Sequence, residues 1–446
     1  MLDVKHLVAE LETQPDYRGQ IEAVRQVPAR RARYAPEDLC LGEAARRALK
    51  AQGIERLYVH QREAIEAARK GIHVTVAAGT ASGKTVCFLV PIVEAIEQRP
   101  TARALLIYPT KALAQDQLRK LAAYGAGESF VAATYDGDTP QSQRWSIRRG
   151  SHVILTNPDM LHLGILPYHT SWREFFRELK YVVIDEMHVY TGVFGAHTAN
   201  VIRRLRRIAG EYGAEPTFLC CSATVGNPRE LAEQLTGLPQ RLVDDDGAPR
   251  GRKTLLLWNP PLLDQALGQR RSANMEAAEM LAHLVQREVR TLVFTLSRSQ
   301  TELILRYARE RLAAVGLERS VMPYRGGYLP EERRAIERQL FDGDLLGVVA
   351  TSALELGIDI GNLDAVVMAG YPGRISSFWQ RAGRAGRRQG DSLAVLVSLP
   401  TSGVDQYIVG HPDYLFDHSQ EHVLVDPHNP YILAGHLMCA AYELPI

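Results

Sequence analysis

Short apolar runs alternate with longer stretches of helical periodicity along most of this chain. The runs at 72–77, 104–108, 130–135, 152–156, 181–184 and 217–221 are rich in Val, Ile, Leu and Ala. Strands that read as nearly unbroken apolar runs are those buried on both faces, so this alternation predicts a parallel sheet covered by helices. A second series follows at 291–295, 321–324, 347–351, 365–369 and 393–398. Between the two lies a Gly/Pro/Asp-rich stretch, 244–252, and then Asn259-Pro260-Pro261, the composition of a connection. The expected class is α/β, with two sheet domains in tandem. Boundaries fall at 1–55 for an N-terminal extension, 56–245 for the first domain, 246–275 for a linker, 276–402 for the second domain and 403–446 for an accessory region. The extension reads as polar helices broken by Pro15, Pro28 and Pro36, with 44–51 a better helix.

Length supports this division, because 446 residues exceed one ordinary core. Composition is that of a soluble globular protein, 46% hydrophobic and 23% charged. Lys and Arg total 52 against 51 Asp and Glu, so any basic surface is local. Arg148-Arg149, the arginines at 203–207 and those at 381–388 are the candidates, with solvated helix faces as the plainer alternative. The five cysteines include no C-x-x-C pair, which gives neither a zinc site nor a disulfide framework. No stretch has membrane-spanning length, and Asp3, Lys5 and His6 interrupt any signal-peptide core. A cytoplasmic protein with no membrane partner is expected.

The strongest chemical signal is the loop Ala78-Gly79-Thr80-Ala81-Ser82-Gly83-Lys84-Thr85, set between a strand-like run and a helical stretch at 86–97. Backbone N–H groups of such a loop converge on phosphate, Lys84 reaches the β/γ-phosphates, and Thr85 offers a hydroxyl to Mg²⁺. Ala78 stands where the strict pattern has its first Gly. A second signal is Tyr181-Val182-Val183-Ile184-Asp185-Glu186-Met187-His188, two carboxylates closing an apolar strand. Ligand chemistry in open α/β sheets sits at strand ends, so Asp185 suits Mg²⁺ and Glu186 the attacking water. Upstream, Gln61 has the donor and acceptor of an adenine edge, and Tyr58 a ring that can stack on the base.

Pro109-Thr110-Lys111, Asp136-Gly137-Asp138 and Thr156-Asn157-Pro158 each follow a strand and together suggest a track for a sugar-phosphate backbone, although each alone is an ordinary turn. Ser222-Ala223-Thr224 ends another strand. In the second series, Gln380-Arg381-Ala382-Gly383-Arg384-Ala385-Gly386-Arg387-Arg388 needs an anionic partner, and Thr351 to Gly361 precedes it with Gly357 and Asp359.

As a set these motifs resemble the superfamily 2 nucleic-acid helicases of the DEAD/DEAH-like group. His188 to His197, Tyr324-Arg325-Gly326-Gly327-Tyr328 and Asp426 to Pro430 are similar to the bacterial MrfA (YprA) DNA repair helicases, from about Tyr34 onward. The resemblance implies two RecA-like domains, ATP hydrolysis with Mg²⁺ in the cleft between them, DNA-stimulated turnover, 3′ to 5′ movement and a role in DNA repair. Carried onto this chain, Gln61 and Tyr58 serve the base, Thr80, Ala81, Ser82, Gly83, Lys84 and Thr85 the phosphates, and Thr85 with Asp185 the metal. Glu186 is the water residue, and His188 couples the site to the second sheet. Asp359 and Gly357 contact the nucleotide from the second series, where Gln380, Arg384 and Arg387 complete the γ-phosphate shell. Pro109, Thr110, Lys111, Gly137, Thr156, Asn157, Arg298, Arg325 and Thr351 line the nucleic-acid track, which takes single-stranded or tailed duplex DNA. Ala81 departs from the Gly usual in the loop, and the family's cysteine-rich zinc region has no counterpart in this sequence.

An RNA helicase of the same group and an ATP-gated nucleic-acid clamp with little turnover are the alternatives. The five histidines in 403–446, of which only His418 and His422 stand four apart, are not read as a metal site. Asn429-Pro430 predicts a helix start, and residues 431–442 are apolar nearly all round, which predicts a helix that a further domain would cover and that is left exposed here. From this the chain is expected to be the motor portion of a longer protein, hydrolysing ATP on single-stranded DNA but unwinding a tailed duplex poorly.

Overall fold

The structure, a computed structural model, describes residues 3–446 apart from 326, 327, 329, 358–360 and 387–389. The described chain divides into two units, residues 33–248 with 421–446, and residues 1–32 with 249–420. Each is built on a seven-stranded sheet.

In the first unit all neighbouring strands are parallel, in the order Ala132–Thr134, Val153–Thr156, Arg103–Ile107, Leu179–Ile184, Thr217–Ser222, Val74–Ala77, Arg241–Val243. Every residue of Val74–Ala77, Val153–Thr156 and Thr217–Ser222 is buried, as expected for strands covered on both faces. On one face Trp172, Phe175, Phe176, Ile202, Leu205 and Phe218 form the core, to which Val423 and Val425 from the end of the chain also belong. Parallel strands joined by helices bring all their C-terminal ends to one edge, and there the sequence places its loops of interest.

The second unit has the order Ile21–Val27, Lys253–Trp258, Ser392–Val397, Ala365–Ala369, Thr291–Phe294, Gly347–Ala350, Val321–Tyr324. Only the first pair is antiparallel. Two features differ from the expectation. Residues 21–27, expected within an extension of polar helices, form a strand of the second unit's sheet. Helix Val4–Glu12 buries Val4, Leu7 and Leu11 against Met280, Leu281 and Leu284, and Ile21–Val27 is an edge strand. Its sequence, Ile-Glu-Ala-Val-Arg-Gln-Val, is mostly exposed, and charge on an edge strand guards against stray pairing while hiding the strand signal. Residues 253–258, expected within a linker, form an interior strand, with Thr254 to Trp258 all buried. The flanking Gly and Pro residues disguised the Leu255-Leu256-Leu257 run.

Helix Pro430–Glu443 is buried along one face only. His436, Ala440 and Glu443 face inward, while Tyr431 is 92% and Tyr442 77% exposed. The buried face is thus the polar one. It meets helix Gly192–Glu211, where Arg204 pairs with Glu443 and its Nη1 donates to His162 Nδ1 (2.9 Å) and His436 Nδ1 (3.1 Å). A periodicity count sees Tyr, Ile, Leu and Met and misses that three polar groups do the docking.

Candidate nucleotide-binding site

The loop after Val74–Ala77 leads into helix Lys84–Gln98, whose N-terminus carries unpaired N–H groups and a favourable dipole for an anion. Gly83 has φ +77°, and a Cβ there would lie 2.5 Å from Gln61 Nε2, so the position requires glycine. Ala81, too, is left-handed, at φ +61°. Lys84 Nζ donates to the carbonyls of Ala78 and Gly79, 2.8 Å each.

Two adjacent side chains hold this loop from helix Val59–Arg69. His60, 1% exposed, accepts at Nδ1 from Gly247 N–H (3.2 Å), which leaves Nε2 to donate to the Ser82 carbonyl (3.1 Å). Gln61 accepts from Tyr58 N–H (2.9 Å) and donates to the Gly83 carbonyl (3.1 Å). In a trans peptide C=O and N–H point opposite ways. Turning the carbonyls of Ser82 and Gly83 toward His60 and Gln61 therefore turns the N–H groups of Gly83 and Lys84 to the other side, ready for phosphate. Gln61 retains one amide N–H and one lone pair beyond these two bonds. Tyr58 lies against both Tyr34 (5.3 Å, 27°) and His60 (5.9 Å, 14°), and Tyr34 is the more open ring.

Asp246 Oδ2 accepts from Gly79 N–H at 3.4 Å. His60, Asp246 and Tyr34 were not singled out from the sequence. His60 had a signal, adjacency to Gln61; Asp246 and Tyr34 had none, because only the fold brings 244–248 and 33–35 to the loop.

Asp185 and Glu186 end Leu179–Ile184, separated from the loop's strand by Thr217–Ser222 alone. Asp185 is buried and accepts from Glu186 N–H (2.8 Å). Burial and the neighbouring Glu186 push its carboxyl well above the ordinary range, with Lys84 pulling the other way. A carboxylate so placed is relieved by a cation. Among the described residues no three His, Cys, Asp or Glu side chains form a metal cage. Mg²⁺ is commonly held by one or two carboxylates together with phosphates and water, and Asp185 with Thr85 fits that donor set. Glu186 is left-handed at φ +50°. His188 Nδ1 lies 3.6 Å from a Glu186 carboxylate oxygen and 3.3 Å from the Ala223 nitrogen.

The expected track divides. Thr110, Lys111 and Gly137 are exposed and Pro109 half-buried, with Lys111 Nζ 2.8 Å from Asp138 Oδ1. Thr156 and Asn157 spend their polar groups on the backbone. Thr156 is fully buried and donates to the Tyr135 carbonyl (2.7 Å), and Asn157 is buried and caps the following turn by accepting from Met160 N–H (2.8 Å). Their hydroxyl and amide serve the backbone, the plainer alternative for a residue after a strand.

In the second unit Arg298 is exposed at a helix start, Thr351 half-buried at another, and Arg325 bonds Glu302 (2.7 Å). Gln380 is buried on helix Ile375–Ala382. Arg384 is 2% exposed and donates to the Glu355 carbonyl, while Arg381 pairs with the Glu355 carboxylate at 2.8 Å. Gly357 is half-buried. Asp359 and Arg387 lie outside the described residues.

A phosphate loop and two strand-end acids on near-adjacent parallel strands are the parts of a nucleotide site, and the chain carries a DEAD/DEAH box helicase domain. That family matches residues 58–231, and the helicase conserved C-terminal domain matches 276–389. The winged helix domain of ATP-dependent helicase HRQ1 matches 425–446. The chain is similar to the ATP-dependent helicase YprA of Bacillus subtilis, 49% identical over 434 residues, which is 96% of this chain and 58% of that protein. To HRQ1 of Saccharomyces cerevisiae it is 40% identical, over 99% of this chain and 42% of the relative. A crystal structure of the DUF1998 helicase MrfA bound to DNA matches with TM-score 0.94 and 47% identity, over 100% of this chain and 59% of that one. Both sheets are therefore RecA-like, and the chain spans about three fifths or less of the length of these relatives.

Proposed function

We propose that this chain is the ATP-hydrolysing motor of a DNA helicase, acting with Mg²⁺ on single-stranded or tailed duplex DNA, moving 3′ to 5′ in DNA repair, in the cytoplasm. The observation that carries the proposal is the shared sheet edge: Lys84 heads the helix after Val74–Ala77, and buried Asp185 with Glu186 follows Leu179–Ile184, with one strand between the two. Lys84 and the loop N–H groups bind the triphosphate, and Asp185 and Thr85 would hold Mg²⁺, which would supply positive charge against the phosphates. Glu186 orients a water and takes its proton as the water oxygen bonds to the γ-phosphorus and the β–γ bridging bond breaks, releasing ADP and phosphate. Arg384 adds positive charge at the γ-phosphate, as the resemblance implies. Relatives that include a DNA-bound helicase support DNA as the polymer.

The test compares ATPase rates with single-stranded DNA, duplex DNA and RNA, alongside displacement of a labelled strand from 3′- and 5′-tailed duplexes. Stimulation by single-stranded DNA and displacement from the 3′-tailed duplex are expected. Stimulation by RNA alone would make it an RNA helicase.

A further inference from the structure

Helix Gln141–Gly150 buries none of its ten residues, and Ile147 is the side chain that leans on the core. It carries Arg144, Arg148 and Arg149 and no acid. In its middle Trp145 is 62% exposed, whereas Trp172 and Trp258 are buried and Trp379 is partly covered. The Arg149 guanidinium lies 5.3 Å from the Trp145 ring centre, and Arg148 lies 6.0 Å from that of Trp172. Arg149 also approaches Glu174 at 3.9 Å, both side chains largely exposed, a pairing too weak to occupy it.

The helix start is fixed. Arg144 donates to the carbonyls of Thr139 (3.2 Å) and Asp136 (3.3 Å), tying it to the 136–139 loop whose Asp138 pairs with Lys111. It therefore begins at the strand-end edge that carries Thr110, Lys111 and Gly137. Trp145 stands five residues past Pro140, roughly 7 Å along the axis. An indole left in water on a helix that buries nothing contributes little to folding. Arginines without acids attract phosphate, and a flat ring with a cation on one face presents the other to a base.

We propose that helix Gln141–Gly150 is an accessory contact for a single nucleic-acid strand, with Trp145 stacking on a base and Arg148 and Arg149 neutralising phosphates. This rests on the helicase function proposed above. It extends the strand's path from the Thr110, Lys111 and Gly137 loops onto a helix outside the motifs.

Tryptophan fluorescence tests it directly, by titration of the protein without nucleotide with oligo(dT) and, separately, oligo(U). Quenching on binding is expected, most of it lost in Trp145→Phe. Trp145→Ala weakens binding roughly 5- to 100-fold, the range for one stacked base. Arg148→Gln with Arg149→Gln lowers the slope of log K against log salt by about 1.4, at ~0.7 for each phosphate contact to a single strand. ATPase without nucleic acid stays unchanged in Trp145→Ala. Full quenching and unchanged affinity in the Trp145 variants, with wild-type DNA stimulation intact, would overturn this contact and leave the helicase function standing. Failure of the wild type to bind either oligomer would overturn both. Loss of self-association, and not of oligomer binding, in Trp145→Ala would make the helix a protein contact and overturn the proposal.

Discussion

Lys253 donates from Nζ to the carbonyl of Ala385 at 2.7 Å, immediately after Arg384 in the chain. It donates to the Ala382 carbonyl as well, so one ammonium ties both sides of Gly383-Arg384 to an interior strand. Burial pushes Lys253 down to about 7, yet two carbonyls favour its charged form. Lys253→Met leaves those carbonyls without their donor. Destabilisation on the order of 2 kcal/mol is expected from buried hydrogen bonds of this kind. DNA-stimulated kcat should fall while the KM for ATP changes little, with partial recovery in Lys253→Arg. Thermal unfolding and steady-state ATPase check it; an unaltered kcat would free Arg384 from dependence on Lys253.

That strand marks where sequence reading stopped. Parallel strands such as Leu179–Ile184 announce themselves because both faces are buried, and the loops at their ends follow the same logic. Lys253–Trp258 was hidden by its Gly and Pro neighbours, and Ile21–Val27 by its exposure at an edge. In the site, Lys84, Asp185 and Glu186 were legible because spacing and residue type alone carry their chemistry. For Thr156 and Asn157 the sequence left two roles open, since a residue after a strand can serve the ligand or the backbone, and their hydrogen bonds here go to the backbone. His60 with Gly247 was illegible for another reason: the pair is 187 residues apart in the chain.

Lys84→Ala and Glu186→Gln should separate binding from chemistry. Removing Lys84 deletes a cation at the phosphates, so nucleotide affinity and turnover fall together. Glu186→Gln keeps the shape and loses the base, so ATP still binds while hydrolysis drops ~10²–10⁴-fold. Binding of a fluorescent ATP analogue and single-turnover hydrolysis provide the readouts. Near-normal hydrolysis in Glu186→Gln would remove Glu186 from its role.

His60→Ala should act on the loop through Ser82. Without the imidazole the Ser82 carbonyl loses its donor, and the Gly83 N–H is no longer held toward phosphate. The KM for ATP is expected to rise about 5- to 30-fold, equivalent to ~1–2 kcal/mol for one buried hydrogen bond, with kcat less affected. His60→Gln, which can donate to the same carbonyl, should recover part of the loss. Equal damage in both variants would point to packing as the cause.

Ala81→Gly tests backbone strain. The left-handed conformation costs a residue with a Cβ roughly 1–2 kcal/mol, and glycine's extra unfolded-state freedom offsets about 0.5–1 of that. A net stabilisation of about 0–1.5 kcal/mol is expected in urea unfolding, with activity retained. A clear loss of stability would show that the Ala81 methyl makes a contact worth more than the strain.

The last prediction concerns acid and helix Pro430–Glu443. Arg204 donates to His436 Nδ1, so that nitrogen is the acceptor and Nε2 carries the hydrogen toward His197 Nδ1, 3.0 Å away. Protonation would set a new N–H against the Arg204 guanidinium, with His162 and His197 adding like charge and Glu443 already paired with Arg204. Burial first, and then Arg204, accordingly pull His436 down to about 4 from an ordinary 6.5. Between those values the unfolded chain binds the proton and the folded one does not, so stability rises with pH across that window. The contribution is whole above pH 6.5, wanes on acidification and is gone below pH 4. The ceiling for one site is about 3 kcal/mol, and His162, also lowered by burial and Arg204, adds in the same direction. Because Arg204 and Glu443 anchor only this end of the chain, loosening should begin here. Hydrogen exchange of 430–443 at pH 5 against pH 7.5, corrected for intrinsic rates, should show protection lost first in this helix. His436→Gln removes the titrating ring and should flatten that pH dependence; an unchanged slope in this variant would assign the acid sensitivity to other groups.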